Sequence, residues 1–190
     1  MNLFQKFVHI ALRKPGLICR FKTTEKILGN VKNKRILDVG CGSGVYSIFF
    51  ANRGANLIGI DFSSSMISLS RKNAEKENCK CKFLKINFLD FENKSKFDSL
   101  LFIGVFDYVE KKEIYKYFEK AIKLTSHNII ATFPKTYAFQ TIIRYTWLMR
   151  QNCPVYFYTR KQIIKMAKIF NLQVKFYDCG PIWVIEFKKN

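Results

Sequence analysis

The chain has few of the residues that build metal sites, and it has no apolar segment long enough to cross a bilayer. Its two histidines, His9 and His127, lie far apart in sequence, and its six cysteines include no CxxC pair. Because zinc sites need closely spaced Cys and His ligands, no metal is expected. No apolar run reaches the roughly 18 residues of a membrane span.

Targeting and repeat signals are also lacking. The first sixteen residues, MNLFQKFVHIALRKPG, contain only a short apolar run, and no small-residue cleavage site follows. We therefore expect a cytoplasmic protein of one domain, with no internal repeat or linker across its 190 residues. In that compartment the cysteines are expected to be reduced and mostly buried thiols: Cys19, Cys41, Cys79, Cys81, Cys153 and Cys179.

Acidic residues are scarce, at 14 against 33 basic residues, which gives a net charge of +19. Residues 1–35 carry nine basic residues and one acid, and residues 126–190 carry ten and two. A positive field at these two ends would attract an anionic small molecule, an acidic membrane surface or nucleic acid. Lysine supplies 25 of the basic residues, so the bias of an A/T-rich genome is an alternative explanation, although it accounts poorly for the uneven distribution.

The most informative segment is ILDVGCGSG, from Ile36 to Gly44. β-Forming residues lead into an acid and three alternating glycines, and a helical pattern follows, which predicts a strand, a glycine turn and a helix. Such a turn favours a ligand carboxylate or phosphate near the helix N-terminus. The dinucleotide pattern GxGxxG fails because Val45 stands where the third glycine should be, and no Walker GK[ST] exists.

Three further predicted strands end in polar or glycine residues. The segment NLIGI ends in Asp61, which lies 21 residues after Gly40, close to the spacing expected of a carboxylate on ribose hydroxyls. Residues 82–86 end before Asn87, and residues 97–103 end before Gly104. All these ends should meet at the carboxyl edge of one parallel sheet, where open α/β folds bind ligands.

Taken together, ILDVGCGSG, IGIDFSSSM, INFLDF and FDSLLFIGVFDYVE resemble the class I S-adenosylmethionine (SAM)-dependent methyltransferases. The resemblance covers residues 34–134 well and the remainder loosely. It implies an α/β Rossmann-like fold with a mostly parallel seven-stranded sheet, helices on both faces, and an antiparallel last strand between strands five and six. The later segments ATFPK and CPVYFYTRKQI are similar to a narrower bacterial group related to the tetrapyrrole and quinone O-methyltransferases.

The resemblance also implies a cofactor-binding set for SAM. Its members lie in the glycine turn and after strands two, three and four: Asp38, Gly40, Cys41, Gly42, Gly44, Asp61, Phe62, Met66, Asn87, Phe88 and Gly104. The glycines would hold the methionine part, Asp38 would face its ammonium group, and Asp61 would accept from both ribose hydroxyls. Phe62 and Met66 would pack on the ribose and adenine.

Asn87 departs from the family, which usually carries Asp there to bind the adenine amino group. An Asn retains one carbonyl acceptor for that amine. The end of strand four supplies Asp107 and Tyr108, either of which could orient or deprotonate a methyl acceptor.

Each of these residues also has a structural alternative. The glycine turn could be only a tight connection, and Asp61 could be only a helix cap. Phe62 and Met66 could belong to the core. Asp107 and Tyr108 could equally be structural residues.

The chain divides into four predicted parts. Residues 1–33 form an N-terminal helical cap, broken near Pro15-Gly16, and residues 34–134 form the cofactor-binding core. Residues 135–158, which mix aromatics with Arg144 and Arg150, form a substrate-side insertion that could bind flat anionic ligands or a lipid interface. Residues 159–190 form a closing helix and two strands.

The resulting hypothesis is a SAM-dependent methyltransferase that methylates a small molecule at oxygen. The acceptor could be anionic, aromatic or lipid-like, and peripheral contact with a membrane is left open. RNA or protein methylation is an alternative that the charge favours. It is opposed by IGVFDY, which stands where base-amine methyltransferases carry [DNS]PP[YF], and by the lack of a separate RNA-binding module. A non-catalytic SAM-binding protein is the third possibility.

Overall fold

A seven-stranded sheet forms the centre of the computed structural model, which describes residues 3–136 and 155–189, with side chains from residue 16 onward. The strands are β1 (Arg35–Val39), β2 (Asn56–Asp61), β3 (Lys82–Lys85), β4 (Phe97–Phe102), β5 (Thr125–Pro134), β6 (Leu172–Cys179) and β7 (Ile182–Lys189). Their order in the sheet is β3-β2-β1-β4-β5-β7-β6. Strands β1 to β5 are parallel, and β7 pairs antiparallel with both β5 and β6. This confirms the predicted Rossmann-like fold, including the antiparallel last strand between strands five and six.

The helices and one short 3-10 turn connect these strands. They are α1 (Leu3–Leu28), α2 (Val45–Ala51), α3 (Ser64–Lys76), the 3-10 turn Phe88–Asp90, α4 (Ile114–Leu124) and α5 (Arg160–Ile169). Ser63 caps α3, since its hydroxyl accepts from the Met66 N–H. Thr159 caps α5 in a reciprocal capping box with Gln162.

The central strands are buried on both faces, and successive residues point to opposite sides of the sheet. Leu100 and Phe102 of β4 enter one core cluster with residues of α4 and α5, including Phe118 and Ile163. Leu101, between them, enters the other cluster with residues of α1 and α2. Helices therefore cover both faces, and the ends of the strands are left to build a site.

Helix α1 differs from the prediction of a break near Pro15-Gly16. The helix runs without interruption from Leu3 to Leu28, although Pro15 removes one backbone donor. Its later half packs against β6 and β7. No described helix is both long enough and apolar enough to span a membrane.

The prediction that all six cysteines are reduced is wrong for Cys19 and Cys179, which form a disulfide between α1 and the end of β6. Their Cα atoms lie 5.5 Å apart, although the two residues are separated by 160 positions in sequence. Sequence spacing therefore held no sign of the pair. Cys41, Cys79 and Cys81 are free thiols, and Cys153 lies outside the described residues.

Strand β5 begins at Thr125, directly after α4. This start follows a register shift in the pairing with β4, between Phe97 and Ser99. The Thr125 hydroxyl donates to the carbonyl of Phe97 across this irregularity. The strand ends at Pro134.

Candidate active site

The glycine loop lies at the carboxyl edge of the sheet, between the ends of β1, β2 and β4. Gly40, Gly42 and Gly44 all have positive φ, at 65°, 53° and 83°. The Cys41 N–H donates to the carbonyl of Ile60 at 3.0 Å, which joins the loop to the end of β2. Since L side chains rarely adopt this conformation, the loop requires glycine for its backbone path as well as for space.

The three glycines face different surroundings. A Cβ on Gly40 would lie 2.8 Å from Cγ2 of Val105, and a Cβ on Gly44 would lie 3.0 Å from the Phe83 ring. A Cβ on Gly42 would have no atom within 4 Å. The outer two glycines therefore allow the loop to pack on the protein, and the middle one lies beside open space that a ligand can enter.

Asp38 is buried at the end of β1, just before the glycines. The Ser47 hydroxyl, in the first turns of α2, donates to Oδ2 of Asp38 at 2.7 Å. Burial raises the pKa of Asp38 to about 7, against the opposing effect of the Ser47 hydrogen bond and with a further rise from the charge of Asp61. A cationic group bound beside this carboxyl would lower its pKa again.

Asp61 closes the other side of the loop. Its Oδ2 accepts from the Gly42 N–H at 3.0 Å, and its Oδ1 accepts from the Ser63 N–H at 2.9 Å. Both bonds come from the backbone, so the carboxylate is fixed in orientation while each oxygen keeps acceptor capacity for another donor. Asp61 therefore links the glycine loop to the start of α3, and a role as a helix cap alone does not explain the bond to Gly42.

The two apolar residues after β2 differ from core residues. Phe62, which directly follows Asp61, is 77 % exposed, and Met66, in the first turn of α3, is 36 % exposed. The core alternative therefore does not fit Phe62. Cys41, by contrast, is buried in a small cluster with Ile48 and Phe83, so its side chain supports the loop from within.

Asn87 and Phe88 follow β3 and have separate surroundings. The Asn87 side-chain carbonyl accepts from the Leu89 N–H at 3.0 Å and so caps the 3-10 turn. Phe88 is buried and packs edge to face on Phe102, with the ring centroids 5.1 Å apart. Only the main chain of Phe88 is therefore available to a ligand, whereas the Asn87 side chain is exposed.

The end of β4 brings Gly104, Asp107 and Tyr108 to the same edge. Gly104 has a φ of 80°, and its N–H donates to Oγ1 of Thr132 on β5 at 2.7 Å. Asp107 is only 5 % exposed, whereas Tyr108 is 49 % exposed. A molecule at this edge can reach the Tyr108 side chain directly, while Asp107 lies beneath the surface.

The predicted substrate-side insertion, residues 135–158, is described only at its two ends. The Tyr156 N–H donates to the carbonyl of Asp107 at 2.9 Å, and the Tyr158 N–H donates to the carbonyl of Pro134 at 2.9 Å. The insertion thus starts and finishes beside the β4 and β5 ends. Arg144 and Arg150 lie outside the described residues.

Sequence reasoning missed three side chains at this edge: Arg20 and Thr24 of α1, and Tyr46 of α2. Nη1 of Arg20 lies 3.6 Å from the position that a Cβ on Gly104 would occupy. No local pattern in the first helix marked Arg20 among the many basic residues near the N-terminus. The only available signal was its helical spacing, which places Arg20 and Thr24 on one face.

A family model described as a methyltransferase domain matches residues 30–172, which is most of the chain. The chain belongs to this methyltransferase-domain family. Two curated relatives are ubiquinone biosynthesis O-methyltransferases. The protein from Acinetobacter baylyi is 28 % identical over 130 residues, covering 65 % of this chain and 55 % of its own length. The protein from Pelagibacter ubique is 30 % identical over 132 residues, covering 68 % of this chain and 54 % of its own length.

The methyltransferase-domain chain therefore spans about half the length of the curated relatives it matches. Its fold is similar to that of magnesium protoporphyrin IX methyltransferase from Synechocystis, solved with bound S-adenosylhomocysteine. The TM-score is 0.80 at 17 % identity, over 100 % of this chain and 89 % of that chain. The PH0226 protein from Pyrococcus horikoshii gives a TM-score of 0.75 at 14 % identity, over 92 % and 90 %.

Proposed function

We propose that this protein is an enzyme that transfers a methyl group from SAM to a small-molecule acceptor, at oxygen. The observation that carries the proposal is the pair of carboxylates, Asp38 and Asp61, on the two sides of a glycine loop whose three glycines all have positive φ. Membership of the methyltransferase-domain family supports the same reaction.

The residues of the loop fit the separate parts of SAM. Asp38, buried with a raised pKa, suits an ammonium group, because a bound cation would stabilise its charged form. Asp61, held by two backbone donors, suits the two ribose hydroxyls. The exposed Phe62 and Met66 offer an apolar surface for the adenine, and Asn87 a side-chain amide for its edge.

Bound SAM supplies a methyl group already activated by its positive sulfur. The acceptor oxygen would form a bond to the methyl carbon as the carbon–sulfur bond breaks. The electron pair of the broken bond would stay on the sulfur, which would become a neutral thioether. The protein's main tasks are to hold donor and acceptor in line and to exclude water. An acceptor hydroxyl also loses a proton, which a nearby side chain can take or orient.

Asp107 and Tyr108 are the proposed residues for this second task. The exposure of Tyr108 suits contact with the acceptor, and the burial of Asp107 suits a positioning role. Tyr108→Phe should lower kcat at least about tenfold and leave the SAM Kd unchanged. Asp107→Asn should raise KM for the acceptor more than it lowers kcat. If both variants retain wild-type kcat and KM, these two roles are wrong.

We further propose that the acceptor is anionic, aromatic or lipid-like, in keeping with the net charge of +19 and with relatives named for ubiquinone biosynthesis.

Peripheral contact with an acidic membrane belongs to the same proposal. It is supported by two exposed apolar residues on α1, Leu17 and Ile18, with the exposed Lys22 one helical turn after Ile18. Co-sedimentation with phosphatidylglycerol vesicles should exceed that with phosphatidylcholine vesicles and should fall in Leu17→Ser/Ile18→Ser. Equal sedimentation with both lipids would reject the contact.

The activity itself is tested by methyl transfer from labelled SAM to a panel of phenols, quinone precursors and carboxylated porphyrins. Label in an extracted product, accompanied by an equal amount of S-adenosylhomocysteine, would establish turnover and name the acceptor class. Label transferred to RNA or protein instead would overturn the small-molecule assignment. Tight SAM binding without any transfer would indicate a binding protein.

A further inference from the structure

Two free thiols, those of Cys79 and Cys81, lie side by side between the end of α3 and the start of β3. Their Sγ atoms are 3.2 Å apart, and both side chains are half-buried. The sulfur–sulfur bond of a disulfide is about 2.05 Å long, so the two atoms need to approach by only about 1 Å to form one. The pair is therefore close to the geometry of a disulfide while it is still reduced.

The backbone on each side holds the two thiols in this arrangement. Asn78 has a φ of 48°, and its N–H donates to the carbonyl of Glu75 at 3.1 Å. The N–H of Cys79 donates to the carbonyl of Ala74 at 2.8 Å, which completes a Schellman motif at the end of α3. Cys81 directly precedes β3, which pairs with β2. The two sulfurs are thus positioned by the helix end and by the sheet.

The surroundings of the two thiols set the order in which they react. Since the thiolate is the nucleophile in thiol chemistry, a thiol with a raised pKa reacts late. Burial raises the pKa of Cys81, and the hydrogen bond and charge of Cys79 raise it further. We therefore expect Cys79 to react first. Once Cys79 is bonded to another sulfur it carries no charge, so part of the barrier to ionising Cys81 is removed.

The thiol pair also contacts the helix that follows the glycine loop. The Cys81 Sγ donates to the carbonyl of Ser47 at 3.4 Å, and the Cys79 Sγ donates to the carbonyl of Ile48 at 3.8 Å. The hydroxyl of the same Ser47 donates to Asp38 at 2.7 Å. A disulfide has no S–H group, so its formation ends both donations to α2. Ser47 thus connects the thiol pair to the acid beside the glycine loop.

We propose that Cys79 and Cys81 form a reversible redox pair, which glutathione disulfide closes to a disulfide, and that this closure weakens SAM binding in the glycine loop. Cys79 attacks one sulfur of glutathione disulfide and forms a mixed disulfide, and the glutathione that leaves takes up the proton that Cys79 lost. Cys81 then attacks the Cys79 sulfur, and the second glutathione leaves with the proton of Cys81. The two cysteines lose two electrons, which glutathione disulfide gains. Only the effect on SAM rests on the proposed function.

The closure is tested by peptide mapping of the wild-type protein after treatment with glutathione disulfide. Free thiols are alkylated, and the denatured protein is digested with trypsin. Cleavage after Lys76, Lys80 and Lys82 places the two cysteines on separate peptides, residues 77–80 and 81–82. These peptides should be recovered joined by a disulfide, and dithiothreitol added before alkylation should separate them. Recovery of separate alkylated peptides, or of glutathione adducts alone, would overturn the redox pair.

The effect on the cofactor site is tested by calorimetric titration of SAM into the wild type treated with glutathione disulfide or with dithiothreitol. The oxidised form should bind SAM about two- to tenfold more weakly, as expected for the loss of weak hydrogen bonds that support α2. Cys79→Ser and Cys81→Ser should each bind SAM equally well under the two conditions. Cys19→Ser/Cys179→Ser is the matched control, because it lacks the other disulfide and keeps the pair. It should show the full wild-type difference.

Two results of these titrations would overturn the effect on SAM. Equal Kd values for the oxidised and reduced wild type would show that the pair does not act on the glycine loop. A difference that persists in Cys81→Ser and disappears in Cys19→Ser/Cys179→Ser would belong to the other disulfide. Failure of the reduced wild type to bind SAM would instead reject the proposed function, and the peptide map would still decide whether the redox pair exists.

Discussion

The Ser47 hydroxyl donates a 2.7 Å hydrogen bond to Oδ2 of Asp38, and both side chains are buried beneath the glycine loop. This bond favours the charged form of a carboxyl whose pKa burial raises to about 7. The state of Asp38 near neutral pH therefore depends on the Ser47 hydroxyl and on any cation that binds beside it.

Asp38 predicts a pH dependence of SAM binding. Below about pH 7 the free protein holds Asp38 protonated, so binding of an ammonium group requires release of that proton. The affinity should therefore rise with pH from 5 to 7, by up to about tenfold per pH unit. Calorimetry in two buffers of different ionisation enthalpy should detect about one proton released at pH 6. A flat profile in the wild type, or the same slope in Asp38→Asn, would contradict this role.

Stability of the free protein should follow the opposite trend. Because the pKa of Asp38 is raised on folding, the native state binds more protons than the unfolded state between about pH 4 and 7. The contribution of Asp38 to the free energy of unfolding is therefore most favourable at the acidic end and declines as pH rises through 7.

Ser47→Ala should raise the pKa of Asp38 and move the midpoint of the binding profile to higher pH. Ser70→Ala, which removes a buried hydroxyl bonded to Ile67, should leave that midpoint unchanged.

The glycine loop yields a prediction in which backbone strain and site geometry can be separated. Gly40→Ala adds a Cβ 2.8 Å from Val105 at a φ of 65°, so it should lose stability by about 1–2 kcal/mol and also weaken SAM binding. Gly54→Ala has the same backbone problem at a φ of 87°, but it lies at the end of α2, beside Lys32. Urea unfolding should report a loss in both variants. A loss of SAM affinity in Gly54→Ala equal to that in Gly40→Ala would show that strain alone explains the effect.

The disulfide between Cys19 and Cys179 predicts a redox-dependent stability. The bond closes a loop of 160 residues, and removing such a constraint from the unfolded chain should cost about 3–5 kcal/mol. Urea midpoints of the wild type should fall when dithiothreitol is added, and those of Cys19→Ser/Cys179→Ser should not respond. Cys79→Ser is the control, because its thiol is free and half-buried. If wild-type protein kept without reductant titrates six free thiols after denaturation, the disulfide is contradicted.

The conformation of the glycine loop could be predicted from sequence because its signals are local. The three glycines need positive φ within a few residues of one another, and Asp61 follows its strand at once. Ser63 and Thr159 cap the starts of their helices with their own hydroxyls. In each case the residue type and its physical task lie within one element.

The remaining features depend on contacts between distant segments. Arg20 belongs to α1, and its side chain lies near Gly104 at the end of β4 because of the way that helix packs on the sheet. Cys19 meets Cys179 because the same helix lies against β6. The continuity of α1 through Pro15 could not be predicted from the local Pro15-Gly16 pattern, which is typical of a helix break.

The most direct test of the account is calorimetric titration of SAM and S-adenosylhomocysteine into the wild type and Asp61→Ala, with NAD as the control ligand. We expect micromolar binding of both SAM and its product by the wild type, at least a hundredfold loss in Asp61→Ala, and no binding of NAD. Asp61→Ala that binds SAM as the wild type does, or a wild type that does not bind SAM, would contradict it. In the second case, the glycine loop would be only a connection between a strand and a helix.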